Sequence, residues 1–346
     1  MDEAYEETER LLEELKEQIA VEYRQAKEEV EKKCNEYLEN FKKEDEEKKK
    51  KLEDGKISQK KYYYWRYTQI VINKRWEGLK KNLTDDLKNA NEIAASIINR
   101  QLPKAYAINH NYGTYEVEKG SFLNTSYTLY SQETVERLLR SKPNLLPKAK
   151  VDVPKDKKWN SQKLQSAIVQ GVLQGKSIDD ISKKLQHVTD MNQNVAVTNA
   201  RTMMTSAQNG GRIDAYKRAE KMGIKTTKVW LATPDSRVRD SHARLDGEER
   251  ENEEEFSNGC KYPGDPNGDP AEVWNCRCTL IAQVKNTPRI DVSERKFGGL
   301  ERDYVNGENM TYQDWKDLHS EDESIRQEAR KKWKESEIGK QRRKRN

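Results

Sequence analysis

The stretch KVWLATPDSRVRDSHARLDGEERENEEEFSNGCKYPGDPNGDPAEVWNCRCTLIAQV, Lys228 to Val284, decides how the rest of the chain is read. It holds three of the four cysteines, one of the four histidines and the densest grouping of Gly, Pro and Asp in the sequence. Such a grouping marks loops held in set conformations. The runs that bound it, Lys228–Leu231 and Thr279–Val284, read as strands. The sequence on either side reads as helix. The expected fold class is therefore α+β, predominantly α-helical. Long N-terminal helices lead through a central helical bundle to a small C-terminal module, where Lys228–Leu231 and Thr279–Val284 pair in a short antiparallel sheet.

Composition agrees with that division. Hydrophobic residues are 33% and charged residues 36% of the 346, against roughly 45–50% and 25% in an ordinary globular chain. Mean hydropathy is −1.16, so much of the helix is solvated or seeks a partner. The net charge of +5 hides an asymmetry. Residues 1–54 carry twelve Lys/Arg against twenty Asp/Glu, and residues 148–234 sixteen against seven. An acidic arm on a basic body calls for a partner for each. No run approaches the roughly 18 apolar residues of a membrane span, and the acidic start, MDEAYEETER, lacks the plan of a secretion signal. A reducing cytoplasm is expected, with cysteines free or metal-bound rather than bridged.

Four segments are expected. Residues 1–54 form an extended acidic helical arm: Leu15, Ile19, Tyr23, Ala26, Val30, Cys34, Tyr37 and Phe41 step along it every ~3.7 residues, and Asp54-Gly55 ends it. So narrow a stripe must pack on another helix or a partner. Residues 55–150 are helical and aromatic-rich. Ser58 caps a helix carrying YYYWRYTQIVINKRW (Tyr62–Trp76), whose aromatics and basic rim suit either protein packing or stacking on nucleotides. Pro103 suits the first turn of a further helix, residues 106–130 give no clear pattern, and Pro-rich 143–156 reads as a linker. In residues 151–284, Leu164–Gly175 and the Ser177-capped SIDDISKKLQ form a helical hairpin. A separate helix from about Met191 to Met222 follows, with the close-packing ridge Ala196, Ala200, Met203, Ala207 and Gly210 or Gly211. It leads into the module at 224–284. Residues 285–346 read as a charged, partly helical or disordered tail with weak helices at Thr311–Leu318 and Ser324–Glu335. The tail ends in the basic run Lys340, Arg342, Arg343, Lys344 and Arg345, which suits phosphate binding or simple solubility.

Within the module, Asp235, Arg237, Arg239 and His242 fall in PDSRVRDSH. If Pro234 starts a helix, Asp235 lies in its first turn and His242 two turns on, on the same side. That pattern reads as a capped turn locked by Arg–carboxylate forks. The alternative is a metal-dependent hydrolase or nuclease using Asp235 and His242, with Asp265 as a further acid. His242, Cys260, Cys276 and Cys278 make a Cys3His set of the number and softness of structural zinc. No pair has the usual C-x-x-C-type spacing, and two small thiols packing a core is the other account. Asp265, Asn267 and Asp269 in YPGDPNGDP invite calcium but lack the closing Glu of an EF-hand loop. Asp246–Glu255 reads as a solvated loop. Nucleophile elbow, phosphate loop and H-E-x-x-H are missing from the sequence, and no enzyme activity is expected.

The ordered string W…D-x-R-V-R-x-x-H…L-D-G…P-G-D…N-C-R-C, preceded by Ala200–Thr202 (ART), resembles the phage head morphogenesis family, the Mu F-like minor head proteins of tailed bacteriophages. The resemblance covers about residues 160–284 and extends loosely over the helices before them. It implies that 151–284 is a Mu F-like head morphogenesis domain. It places the family signature on Asp235, Arg239, His242, Gly247, Asp265, Asn275, Cys276 and Cys278, with Arg237, Asp246 and Arg277 as structural companions. Similar proteins often carry an acid after the Arg-Thr of the long helix, where this chain has Met203.

The same resemblance implies a minor head, or minor capsid, protein in few copies at the portal vertex of the virion, synthesised in the host bacterial cytoplasm. Its partners would be the portal protein, other head or scaffold proteins and double-stranded DNA, with no membrane. It would assist procapsid assembly and DNA packaging or delivery, residues 1–100 binding the portal or another head protein. A DNA-binding accessory of the virion is the alternative from a different class.

Overall fold

A computed structural model describes residues 2–71, 74–121, 127–174, 176–285 and 310–335. The basic run at 340–345 lies outside the described residues. The elements, in order, are α1 (Glu3–Glu53), α2 (Gln59–Val71), α3 (Lys74–Ser121), α4 (Gln132–Ser141), α5 (Val153–Leu173), α6 (Ile178–Lys221), β1 (Thr226–Leu231), α7 (Asp240–Arg244), β2 (Glu249–Glu251), α8 (Pro270–Val273), β3 (Thr279–Val284), α9 (Tyr312–Leu318) and α10 (Glu323–Glu335). This is the predominantly helical α+β class expected. No helix among the described residues is long and apolar enough to cross a membrane.

The chain divides into two compact units. The helical unit comprises residues 14–99 and 149–198, and the other comprises 1–13, 100–148 and 199–346. In the helical unit the apolar stripe of α1 is buried as its spacing requires. Val30, Cys34 and Leu38 meet Trp76, Leu79, Leu83 and Leu87 of α3, Leu164, Ile168 and Val172 of α5, and Ile181, Leu185 and Val188 of α6. The steps of three and four residues on each helix keep these side chains on one face. Gly171 lets α5 approach α6: a Cβ there would stand 2.4 Å from Ile181 Cγ1. Asn91 anchors a polar layer, accepting from the Tyr23 hydroxyl and donating to Asp156 at 2.8 Å and Asn192 at 2.9 Å. On α2, Tyr62 turns inward to Asp45 and Trp65 stacks on Phe41, while Tyr63, Tyr64 and Tyr67 stay 47–66% exposed.

The other unit carries a three-stranded antiparallel sheet in the order β2-β1-β3. β1 pairs with β3 from Thr226↔Val284 to Leu231↔Thr279, which is the expected pairing, two residues longer on β1. β2 lies on the far edge of β1, with Val229 opposite Glu249. Trp230 and Leu280 are buried with Ile213 and Tyr216 of α6, Val117 of α3, and Phe256, Cys260, Cys276 and Cys278. A second core joins Tyr115 and Tyr127 to Met310, Tyr312, Trp315 and Leu318.

Several local expectations change. The second helix of the hairpin and the separate helix expected from Met191 are one helix, α6. No Gly or Pro interrupts 179–209, and Val188, Thr189 and Asn192 are buried where a break was expected. Pro103 lies inside α3. It removes one backbone hydrogen bond, and burial of Leu102, Ala105 and Tyr106 around it holds the helix straight through. The same helix covers 106–121. The linker ends early, because Asp152 caps α5 through the Lys155 amide and Pro154 occupies its first turn. Pro234 opens a turn rather than a helix, and α7 starts only at Asp240. The loop read as solvated at 246–255 contains β2.

Candidate functional site

The site-like residues gather where α6, α7 and the start of β3 meet. The geometry starts with Asn209 of α6, which is fully buried. Its amide nitrogen donates to the carbonyls of Thr205, Pro263 and Cys278, and its oxygen accepts from the Leu280 amide at 2.9 Å. Thr205 donates to the Cys276 carbonyl at 2.7 Å, and the Thr202 hydroxyl accepts from the Asn275 amide at 2.9 Å. Asn275 has φ 56°, a left-handed conformation Asn tolerates better than most residues. One polar face of α6 thus fixes the backbone of the N-C-R-C run.

Arg277 and Asp235 form the expected fork: the Arg277 guanidinium donates to both carboxylate oxygens, one bond at 2.7 Å. The Asp235 carboxylate also accepts from the Arg237 amide at 2.9 Å. The hydrogen bonds from Arg277 hold its carboxyl far below the usual range. The Arg237 side chain is exposed, 3.6 Å from the same carboxylate. Arg239 donates to the Trp274 carbonyl. Asp246 accepts from the Ala232 amide at 2.8 Å, and Gly247, at φ 78°, donates its amide to the Trp230 carbonyl. Asp265 accepts from the amides of Lys261 and Asn267, both at 2.9 Å, and Asp269 caps α8 through Ala271. The carboxylates considered for calcium are engaged by backbone N–H groups.

His242 sits apart from Asp235, among different partners. Its Nδ1 lies 3.4 Å from Cys278 Sγ and 3.7 Å from Cys276 Sγ. Its Nε2 lies 3.0 Å from Glu272 Oε2, an ion-pair distance without hydrogen-bond alignment. The donor atoms of His242, Cys276 and Cys278 all fall within 4.8 Å of one another. All three residues are at most 2% exposed. Cys278 is the thiol that ionises first, since hydrogen bonds from Cys276 and His242 stabilise its thiolate, while the hydrogen bond with Cys278 and burial push the Cys276 thiol well up. Cys260 stands outside this group. It is packed against Gly268, and burial pushes its thiol up to about 12.

Residues 162–281 match the family described as Phage Mu protein F like protein. Over that segment, about a third of the chain, it resembles the Mu F-like family. The chain is 25% identical over 222 residues to minor head protein GP7 of Bacillus phage SPP1, across 62% of this chain and 70% of that one. It is 33% identical over 126 residues to NAD(+)–arginine ADP-ribosyltransferase EFV of Enterococcus faecalis, across 36% of this chain and 26% of the relative. An uncharacterized protein of Haemophilus influenzae is 26% identical over 239 residues, across 61% and 50%. The chain thus spans about a quarter of the transferase and half of the Haemophilus protein. No solved structure matches.

Three residues that organise the sheet-bearing unit escaped sequence reasoning. Lys228, central in β1 and fully buried, donates its ammonium to the carbonyls of Asn252 and Lys261 at 3.1 and 2.8 Å, and to that of Glu254. Burial pushes it down to about 8. Arg212 of α6, also fully buried, donates to Asp2 at 2.6 Å, to Asn109 at 3.0 Å and to the Leu280 carbonyl at 2.8 Å. Glu272 offers only a carboxylate beside Pro270 in sequence, and no spacing rule points from it to His242. A Lys in an apolar run and an Arg opposite glycines on a helix were the available signals. Both read equally well as solvated side chains.

Proposed function

We propose that this chain is a minor head protein of a tailed phage, a non-catalytic component of the virion that sits in few copies at the portal vertex. On this reading it is made in the host bacterial cytoplasm and assists procapsid assembly and DNA packaging or delivery. The observation that carries the non-catalytic part is that the protein itself engages the signature residues. Asp235, Asp246 and Asp265 are tied to Arg277 or to backbone amides, and His242 and both thiols are closed off from solvent. Groups held this way brace loops and offer no open position for a reacting substrate. Kinship with minor head protein GP7 supports the assembly role.

The surface we assign to the portal, or to another head or scaffold protein, is the exposed tyrosine row of α2. Tyr63, Tyr64 and Tyr67 are large, amphipathic and open on a helix whose other aromatics are packed, the composition enriched at protein interfaces. Replacing all three with Ser is expected to leave a folded chain that no longer co-purifies with procapsids, measured by mass spectrometry of purified procapsids and mature heads. Unchanged incorporation of the variant would remove this assignment. Duplex DNA is the second partner we propose, on the charge of residues 148–234 and 340–345. Retention should fall steeply with salt and weaken when Lys340–Arg345 is deleted.

A further inference from the structure

We propose that His242, Cys276 and Cys278 bind a structural zinc ion, with the Glu272 carboxylate beside the far nitrogen of the imidazole. Zinc bonds of about 2.3 Å to sulfur and 2.0–2.1 Å to nitrogen, at tetrahedral angles, set sulfur and nitrogen donors about 3.6 Å apart. The observed Nδ1–Sγ separations of 3.4 and 3.7 Å bracket that spacing. All three donors face one buried point within 4.8 Å of one another.

The surroundings are those of a metal site. Metal-bound imidazoles usually give their second nitrogen to a carboxylate, which fixes the ring and raises its basicity. Here Glu272 Oε2 stands 3.0 Å from Nε2, and Glu272 is itself steadied by Asn258 Nδ2 at 3.3 Å. The Cys278 amide points at Cys276 Sγ from 3.4 Å, an N–H···S contact that stabilises a thiolate. Two thiolates would balance the charge of the ion within its own ligand set.

The other accounts fit less well. Simple thiol packing leaves an imidazole buried between two sulfurs with only weak partners. A disulfide between Cys276 and Cys278 leaves Nδ1 with none. A Cys–His–Glu catalytic set needs access, which the burial of all three denies. Cys260 is not a ligand in this arrangement. No further His, Cys, Asp or Glu among the described residues completes the group, so the fourth position of a closed structural site falls to a backbone oxygen. The ion would pin α7 to the start of β3, tying together loops that have little regular structure of their own.

The test is metal analysis of the full chain purified from zinc-supplemented medium, with X-ray absorption at the zinc edge. About one zinc per chain, with two sulfur and one or two nitrogen or oxygen scatterers, is the expected result. Cys260→Ser should keep the metal, while Cys276→Ser and Cys278→Ser should each lower zinc affinity by at least tenfold. If those two variants do not fold, cobalt loaded into the wild-type chain gives an independent reading, with a sulfur-to-cobalt charge-transfer band expected. Less than a tenth of an equivalent after zinc incubation, a Cys276–Cys278 disulfide by mass spectrometry, or loss of zinc with Cys260→Ser as complete as with Cys278→Ser would each overturn the proposal.

Discussion

The helical unit and the sheet-bearing unit use opposite means to hold their shape. The first buries an apolar stripe repeated on four helices, with one polar layer around Asn91. The second buries Lys228, Asn209 and Arg212 almost completely and satisfies them with backbone carbonyls and paired side chains. Apolar stripes fix which face packs but allow sliding and repacking. Buried polar groups tolerate one geometry, because an unmade bond costs the full desolvation of the group. Rigidity is thus concentrated where long irregular loops must be held, and the repetitive helices carry the exposed aromatics suited to a partner.

Removing a buried charge should separate the two units most strongly. Arg212→Met removes the guanidinium that Asp2, Asn109 and the Leu280 carbonyl share, and a loss of about 3–5 kcal/mol is expected. Chemical denaturation followed by hydrogen exchange should localise the loss to the unit containing the sheet. Leu83→Ala should cost about 2–5 kcal/mol by cavity formation, with the exchange changes confined to the helical unit. Equal effects on both units from either variant would break the contrast.

Titration sharpens the comparison at smaller scale. Burial pushes His110 down to about 3, with Arg218 adding to it, and burial pushes Glu116 up to about 7 against the pull of Arg212. The folded state keeps His110 neutral, so its contribution is lost as pH falls from 6.5 toward 3. It also holds the proton on Glu116, so that contribution is lost as pH rises from 4.5 to 7. The two slopes oppose each other between pH 4.5 and 6.5. Glu116→Gln should unmask the acid loss, approaching about 1.4 kcal/mol per pH unit, and His110→Phe should unmask the opposite slope. Thermal melts across that range read both, and parallel curves for the two variants would refute the assignment.

The smallest effect on stability is expected at the tyrosine row. Tyr63→Ser, Tyr64→Ser and Tyr67→Ser together should shift unfolding by less than ~1 kcal/mol, as exposed positions do, while abolishing incorporation into procapsids. A large stability loss would mean the row is part of a core.

Periodicity by itself determined the long first helix and its buried face. The stripe from Leu15 to Phe41, the stop at Gly55 and the Ser177 cap are local signals whose outcome depends on neighbours a few residues away. The pairing of β1 with β3 was legible too, since two apolar runs bounding one loop-rich stretch have few other partners. Tertiary structure alone decided the rest. The union of α6, the passage of α3 through Pro103 and the burial of Trp315 depend on packing against residues distant in sequence, which outweighs local propensity. The same holds for the site. Sequence named His242, Cys276 and Cys278 but could not exclude Cys260 or find Glu272. Which donors converge depends on how α7, α8 and β3 are brought together, and chain spacing does not record that.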